Sequence, residues 1–163
     1  MCIIFFGVMQ MKNDEYFMNE ALKEAHKAFL LNEVPIGAVI VLDGKIIARA
    51  HNEKDHKNLV TKHAELIAIE KASKKLSNWR LLNCEIYVTL EPCPMCASAI
   101  QQSRISRLIY GASSKNQDNF SIISTIFNNS WANASVSMTK NVLSNECSCL
   151  LQNFFEKKRI EQD

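Results

Sequence analysis

His63 and Glu65 stand two residues apart, and further along the chain Cys93 and Cys96 sit in the run Pro92-Cys-Pro-Met-Cys96. One imidazole and two thiolates are the donors that hold zinc, and three protein ligands leave a fourth position for water, as in catalytic rather than structural sites. The neighbouring sequence offers no obvious fourth ligand. Cys-x-x-Cys spacing at a helix start lets both sulfurs face one ion, while the free N–H groups and positive helix end keep the thiols ionised. Glu65 is not needed as a ligand. It can take a proton from zinc-activated water, whose pKa falls towards ~7, and return it to a leaving amine. This is the apparatus of metal-assisted hydrolysis.

Each residue also has a plainer reading. A histidine at a helix start is commonly a capping or exposed group, a buried cysteine behaves as a small hydrophobe, and a glutamate there simply favours the positive helix end. Their combination, in this order and each at a helix start, outweighs those separate readings. Of the six cysteines, two belong to this set and no export signal precedes them, so a reduced, metal-binding reading is preferred to a disulfide framework. Cys84, Cys147 and Cys149 read as packing residues.

The elements that must position these residues follow from hydrophobic period and turn signals. A helix is expected from about Asn13 to Asn32, carrying Phe17, Ala21, Leu22, Ala25, Ala28 and Phe29 on one face, with Asn13 or Asp14 as its cap. Ile36 to Leu42 reads as a buried strand, Asp43-Gly44 as a hairpin turn and Lys45 to Ala50 as the partner strand. A polar stretch from His51 to Thr61 leads to a helix over Lys62 to Leu76. A strand over Ile86 to Leu90 delivers the cysteine pair to a helix opened by Pro94 and running to about Ser103, followed by a strand over Ile105 to Tyr110. Ile122 to Phe127 reads as a short helix, Val136 to Met138 as an edge strand, and Asn145 to Arg159 as the closing helix. Strands alternating with helices imply an α/β domain with a mixed sheet covered on both faces.

The whole fits a single domain over residues 13–163, preceded by a tail of residues 1–12 in which Met9 and Met11 offer alternative starts. The tail's apolar run, Cys2 to Met9, lacks a basic start, a cleavage site and the ~20 residues of a membrane span. The cytoplasm is the expected compartment, with no membrane partner. A formal net charge of +2 over 163 residues is compatible with nucleic acid but does not argue for it.

His-x-Glu followed by Pro-Cys-x-x-Cys is the signature of the zinc nucleobase deaminases. Beyond it, Glu33-Val-Pro-Ile-Gly-Ala-Val39, Asn52, Tyr87-Val-Thr-Leu-Glu-Pro-Cys-Pro-Met-Cys96, Ser103-Arg-Ile105, Tyr110-Gly-Ala112, Glu146-Cys147 and Phe154-Phe-Glu-Lys-Lys-Arg159 resemble the TadA-type tRNA adenosine deaminases. The resemblance implies a three-layer α/β/α, cytidine-deaminase-like domain that converts the wobble adenosine of a tRNA anticodon to inosine. It implies one zinc per subunit on His63, Cys93 and Cys96, proton shuttling by Glu65, and hydrogen bonding between Asn52 and the flipped adenine. Backbone groups at Ala64 and at the Leu90-Glu91 turn would line the pocket. The tRNA anticodon stem-loop and a second copy of the chain, as a homodimer, are the implied partners. Two stretches depart from the pattern: Ser113 to Asp118, with Ser114 where the family has aspartate, and Asn133-Ala-Ser135 in place of a polar triplet. Both belong to the part that meets RNA. A deaminase of a free base or small nucleoside, such as guanine or cytosine, is therefore the nearest rival reading. A catalytically silent zinc-binding subunit is a third, disfavoured by the presence of Glu65.

Overall fold

The computed structural model describes residues 2–129 and 132–161, with side chains from Asp14 onward. Three of its strands are buried on both faces, which is why they read as nearly continuous apolar runs. Along β1 (Gly37–Leu42), Ala38 and Ile40 point to one side while Val39 and Val41 point to the other. The same alternation places Ile86 and Val88 of β3 (Glu85–Leu90) opposite Tyr87, and Leu108 and Tyr110 of β4 (Arg107–Ala112) opposite Ile109. With β2 (Lys45–His51) and the short β5 (Ser137–Thr139) they form one sheet in the order β2-β1-β3-β4-β5. β1 runs antiparallel to β2 and β3, whereas β3, β4 and β5 are parallel.

Two helical layers cover the sheet. Helices α3 (Ala64–Leu76), α4 (Pro94–Gln102) and α5 (Asn119–Asn128) supply Ala64, Ile67, Ile100, Ile123 and Phe127 to the core on one face. Helices α1 (Cys2–Leu30) and α6 (Ser144–Ile160) supply Phe17, Met18, Ala21, Cys147 and Leu150 to the core on the other. The expected three-layer α/β/α fold is the one observed. The polar stretch after β2 holds one extra turn of helix, α2 (Lys54–Lys57). At the β1–β2 hairpin both Asp43 and Gly44 have positive φ, 50° and 72°, the backbone of the turn that an Asp-Gly pair favours. No helix among the described residues is long and apolar enough to cross a membrane.

Two expectations are corrected at the N-terminal helix. It runs as backbone from Cys2 rather than starting near Asn13, and Met1 and the side chains of residues 2–13 lie outside the described residues. With no helix end at Asn13 or Asp14, neither can be a cap. Asp14 is instead buried, meeting the Arg107 guanidinium through two parallel contacts of 3.0 and 2.6 Å and accepting a 2.8 Å hydrogen bond from the Tyr87 hydroxyl. Arg107 also reaches Glu85 at 3.1 Å. This clasp fastens α1 to the first residues of β3 and β4, at the sheet end remote from Leu90.

Gly37 fixes how closely α1 lies on the sheet. A Cβ there would stand 2.0 Å from the Ala21 carbonyl oxygen and 2.5 Å from the Ala25 nitrogen, both backbone atoms. The helix would have to move, so Gly37→Ala is expected to destabilise the protein by about 3 kcal/mol, the upper part of the range for overpacking. Urea unfolding measures this, and an unchanged midpoint would contradict so close an approach.

Candidate active site

The carboxyl end of β3 and the beginnings of two helices converge at one end of the sheet, where open α/β sheets place their ligands. His63 is the N-cap of α3, with φ −75° and ψ 149°. Cys93 is the N-cap of α4, with φ −71° and ψ 165°, and Pro94 follows in its first turn. Cys96 lies one turn further on, so both sulfurs turn to the same side. His63 Nδ1 lies 3.7 Å from Cys93 Sγ and 3.5 Å from Cys96 Sγ. All three ligand atoms fall within 4.8 Å of one another. A tetrahedral ion with Zn–S near ~2.3 Å and Zn–N near ~2.0 Å requires an N···S edge of about 3.5 Å, so the donor set and its spacing both suit zinc.

The electrostatics agree with that fit. The Cys93 thiol is lowered to about 4, chiefly by a hydrogen bond from Cys96 and then by His63. Cys96 is pushed the opposite way because it shares its proton with Cys93. One sulfur is thus ionised and the second carries the proton that a bound cation would replace. Glu65, in the first turn of α3, is 4% exposed and its Oε2 has no hydrogen-bond partner. Burial raises its carboxyl to about 7, with the nearby Cys93 charge adding to the effect. A buried carboxylate with one oxygen left without a partner, beside three candidate ligand atoms, is costly to folding and suited to carrying a proton.

A thiol-labelling experiment checks this polarisation. In metal-free protein at pH 6, iodoacetamide is expected to label Cys93, already ionised there, while Cys84 and Cys147 stay unlabelled, since burial pushes them up to about 11 and about 12. Added zinc should protect Cys93. Equal labelling of Cys93 and Cys84, read by mass spectrometry, would contradict the assignment. Cys149 is exposed, unlike the packing residue expected from sequence, and gives an accessible reference.

Around this centre the other expected residues fall as follows. Asn52, 4% exposed, follows β2, and the Glu53 N–H donates to the Lys62 carbonyl next to His63 at 3.0 Å. Ala64 is fully buried at the start of α3. Leu90 ends β3 and helps to line a groove of about 420 Å³ with Val34, Ser114, Lys115, Leu151 and Phe155. The Glu91 side chain is committed elsewhere: Oε1 accepts from Asn119 Nδ2 at 2.7 Å and Oε2 from the Ser114 N–H at 3.0 Å. Asn119 also donates to the Pro92 carbonyl at 3.0 Å. The loop that departs from the family pattern is therefore tied directly to the turn carrying Cys93. Phe154 is buried against Phe29, whereas Phe155 is exposed on the groove side.

Comparison with known proteins agrees with this arrangement. Residues 11–159 match the MafB19-like deaminase family. A tRNA-specific adenosine deaminase of Buchnera aphidicola subsp. Schizaphis graminum is 43% identical over 152 residues, which cover 93% of this chain and 100% of that one. The chain belongs to the tRNA-specific adenosine deaminase family. A solved structure from a study of A-to-I editing by tRNA:A34 deaminases matches this member with a TM-score of 0.77 and 40% identity, over 83% of this chain and 98% of that one. The guanine deaminase of Bacillus subtilis is also 40% identical, but over 61% of this chain and 64% of its own, with a TM-score of 0.58.

Two polar residues of this family member's site had no assigned role in the sequence reading. Glu33 opens the run Glu33-Val-Pro-Ile-Gly-Ala-Val39, in which nothing signals that its side chain turns inward to accept a 3.0 Å hydrogen bond from Asn52 Nδ2. Asn119 follows a loop that had lost its recognisable pattern, and nothing local marks it as buried.

Proposed function

We propose that the chain is a zinc-dependent hydrolytic deaminase that converts adenosine to inosine at the wobble position of a tRNA anticodon. The observation that carries this reading is the pairing of the His63, Cys93 and Cys96 cluster with a buried Glu65 whose Oε2 has no hydrogen-bond partner. It occurs in a chain related over nearly its whole length to tRNA-specific adenosine deaminases. His63, Cys93 and Cys96 would hold one zinc per subunit, which supplies the Lewis acidity that lets water act as a nucleophile near neutral pH. Glu65 takes a proton from the attacking water and delivers it to the departing amine. In sum, the C6–N bond of adenine breaks, a C6–O bond forms, one water is consumed and one ammonia leaves. Asn52 and the backbone at Ala64, Leu90 and Glu91 hold the base in place.

The groove beside Leu90 supports a looped, single-stranded substrate. Next to it, Lys115, Lys158 and Arg159 share an open surface with Asp55 and the exposed Phe155, offering a net excess of cations for phosphates and one aromatic face for an unstacked base. An anticodon loop presents its base already unstacked, which lowers the cost of extrusion. A homodimer and a cytoplasmic location accompany this reading on family grounds, and a single deaminase domain over residues 13–163 is supported by the family match to residues 11–159.

A second reading, deamination of free guanine, is favoured by the partial similarity to the Bacillus subtilis enzyme and by the altered Ser113 to Asp118 stretch. One experiment separates them. Zinc-loaded protein is incubated with a tRNA bearing adenosine at the wobble position and, separately, with free adenine, guanine and cytosine, while inosine and ammonia are measured. Inosine at that tRNA position supports the first reading. Ammonia from guanine alone, with the tRNA untouched, would replace it with the second.

A further inference from the structure

Asn119 is the first residue of α5 and is 5% exposed. Its amide nitrogen meets two acceptors, Glu91 Oε1 at 2.7 Å and the Pro92 carbonyl at 3.0 Å. A backbone carbonyl can only accept, so the atom that faces it must be the amide nitrogen, and the two acceptors take both of its hydrogens. Chemistry therefore fixes which way the amide lies, although its oxygen and nitrogen have nearly the same shape.

Pro92 and Pro94 bracket Cys93, and neither ring nitrogen can donate a hydrogen bond. Upstream, the Glu91 N–H donates to the Ala112 carbonyl at 2.8 Å; downstream, the Cys93 carbonyl accepts from the Ala97 N–H at 2.9 Å. Between these anchors lies the planar peptide that joins Pro92 to Cys93, and Asn119 holds its oxygen. Rotation of that plane is what would swing the Cys93 side chain about the start of α4. Asn119 is itself firmly seated. Its N–H donates to the Asn116 carbonyl at 3.1 Å, and Ile123 and Phe127 of the same helix share the core with Ile100 of α4. Helix α5 thus braces α4 twice, through the core and through Asn119.

We propose that Asn119 is a positioning residue of the metal centre, holding the Pro92–Cys93 peptide so that the Cys93 sulfur already points to the ion's place before the ion arrives. This rests on the reading of His63, Cys93 and Cys96 as zinc ligands. Asn119 contributes no ligand atom to that cluster and acts through the peptide.

Asn119→Leu tests this because it keeps the branched shape of the side chain and removes both donors. Zinc affinity of the full chain, measured by competition with a chromophoric chelator, is expected to fall about 10–100-fold, the cost of altering an outer-shell partner. Asn119→Ser keeps a single hydroxyl donor. It should lie between the leucine variant and wild type, and it carries the test if the leucine variant does not fold. Cobalt(II) in place of zinc reads the geometry directly: the visible absorption of the N119L complex is expected to differ in shape from wild type, because one thiolate approaches from a changed direction. Thermal unfolding of each metal-free variant shows which of them are folded.

Asn116→Ala is the control for general loosening of the loop. It removes the side chain that accepts from the Asp118 N–H at 3.1 Å and leaves Glu91 and Pro92 untouched, so zinc affinity should stay within about twofold of wild type even if KM rises. Folded N119L with unchanged zinc affinity and an unchanged cobalt spectrum would overturn the proposal; a raised KM alone would then make Asn119 a residue of the loop. N116A losing zinc as strongly as N119L would overturn it too, since loop order and not the peptide contact would set affinity. A wild-type chain that takes up no zinc would refute the metal reading itself. That failure appears in the wild-type protein, and failure of this inference in the variants.

Discussion

Glu65→Gln is expected to lower kcat by about 10³-fold or more while leaving one metal ion bound per chain, because positioned general acid–base groups contribute roughly 10²–10⁴-fold. The side chain is not among the three clustered ligand atoms, so its loss should spare metal affinity. The near-isosteric amide keeps the volume but can neither accept the proton of the attacking water nor carry it to the amine. Metal content by elemental analysis and single-turnover deamination measure the two effects. A variant that retains near-normal turnover would remove Glu65 from the proton path, and one that loses its metal would make it a ligand.

The same substitution has an opposite consequence for stability. Burial raises the Glu65 carboxyl from 4.5 to about 7, so between those values the folded state holds a proton that the unfolded chain has released. Its contribution is fully present below about pH 4.5 and is lost as pH rises through 7, amounting to about 3 kcal/mol in metal-free protein. Glu65→Gln lacks that titration. Relative to wild type, its metal-free form should gain stability between pH 4.5 and pH 8, measured as a difference in urea midpoints. If both results are obtained, one group weakens the fold and is required for turnover, the opposition between stability and activity expected at a catalytic site.

How far the sequence foretells this site depends on whether a residue's task is local. His63, Cys93 and Cys96 announce themselves because capping position and Cys-x-x-Cys spacing are properties of a few neighbouring residues. The doubly buried strands β1, β3 and β4 were legible for a similar reason: continuous apolar runs bounded by turn residues have few alternative uses. Asp14 was misread because its surroundings resemble a helix start, whereas its partners, Tyr87 and Arg107, lie 73 and 93 residues away. Glu33 and Asn119 escaped for the same cause. Their hydrogen bonds to Asn52 and Glu91 span 19 and 28 residues, and no periodicity records a contact made only after the sheet has assembled. The length of α1 is a further case, since polar and apolar residues before Asn13 show no clean amphipathic stripe.

Replacing Cys93 or Cys96 by alanine is expected to abolish metal binding and deamination together. Each substitution leaves one imidazole and one thiolate, and two protein donors cannot enforce a tetrahedral site with a single open position. The loss should far exceed the roughly 10–100-fold that altering an outer-shell partner costs a metal site. The two variants should nonetheless differ in the metal-free state. Cys93 is partly exposed at the helix cap, whereas Cys96 is fully buried against the core, so Cys96→Ala leaves a cavity and Cys93→Ala mainly removes a charge. Cys84→Ala provides the control, because that thiol is fully buried outside the cluster and its loss should lower stability without changing metal content. Isothermal titration with zinc, paired with thermal unfolding, separates the three. If Cys93→Ala still binds one equivalent with unchanged affinity, the ion sits elsewhere and His63 serves only as a helix cap. If both cysteine variants lose the ion while Cys84→Ala keeps it, the two helix starts are joined by the metal that the deamination chemistry requires.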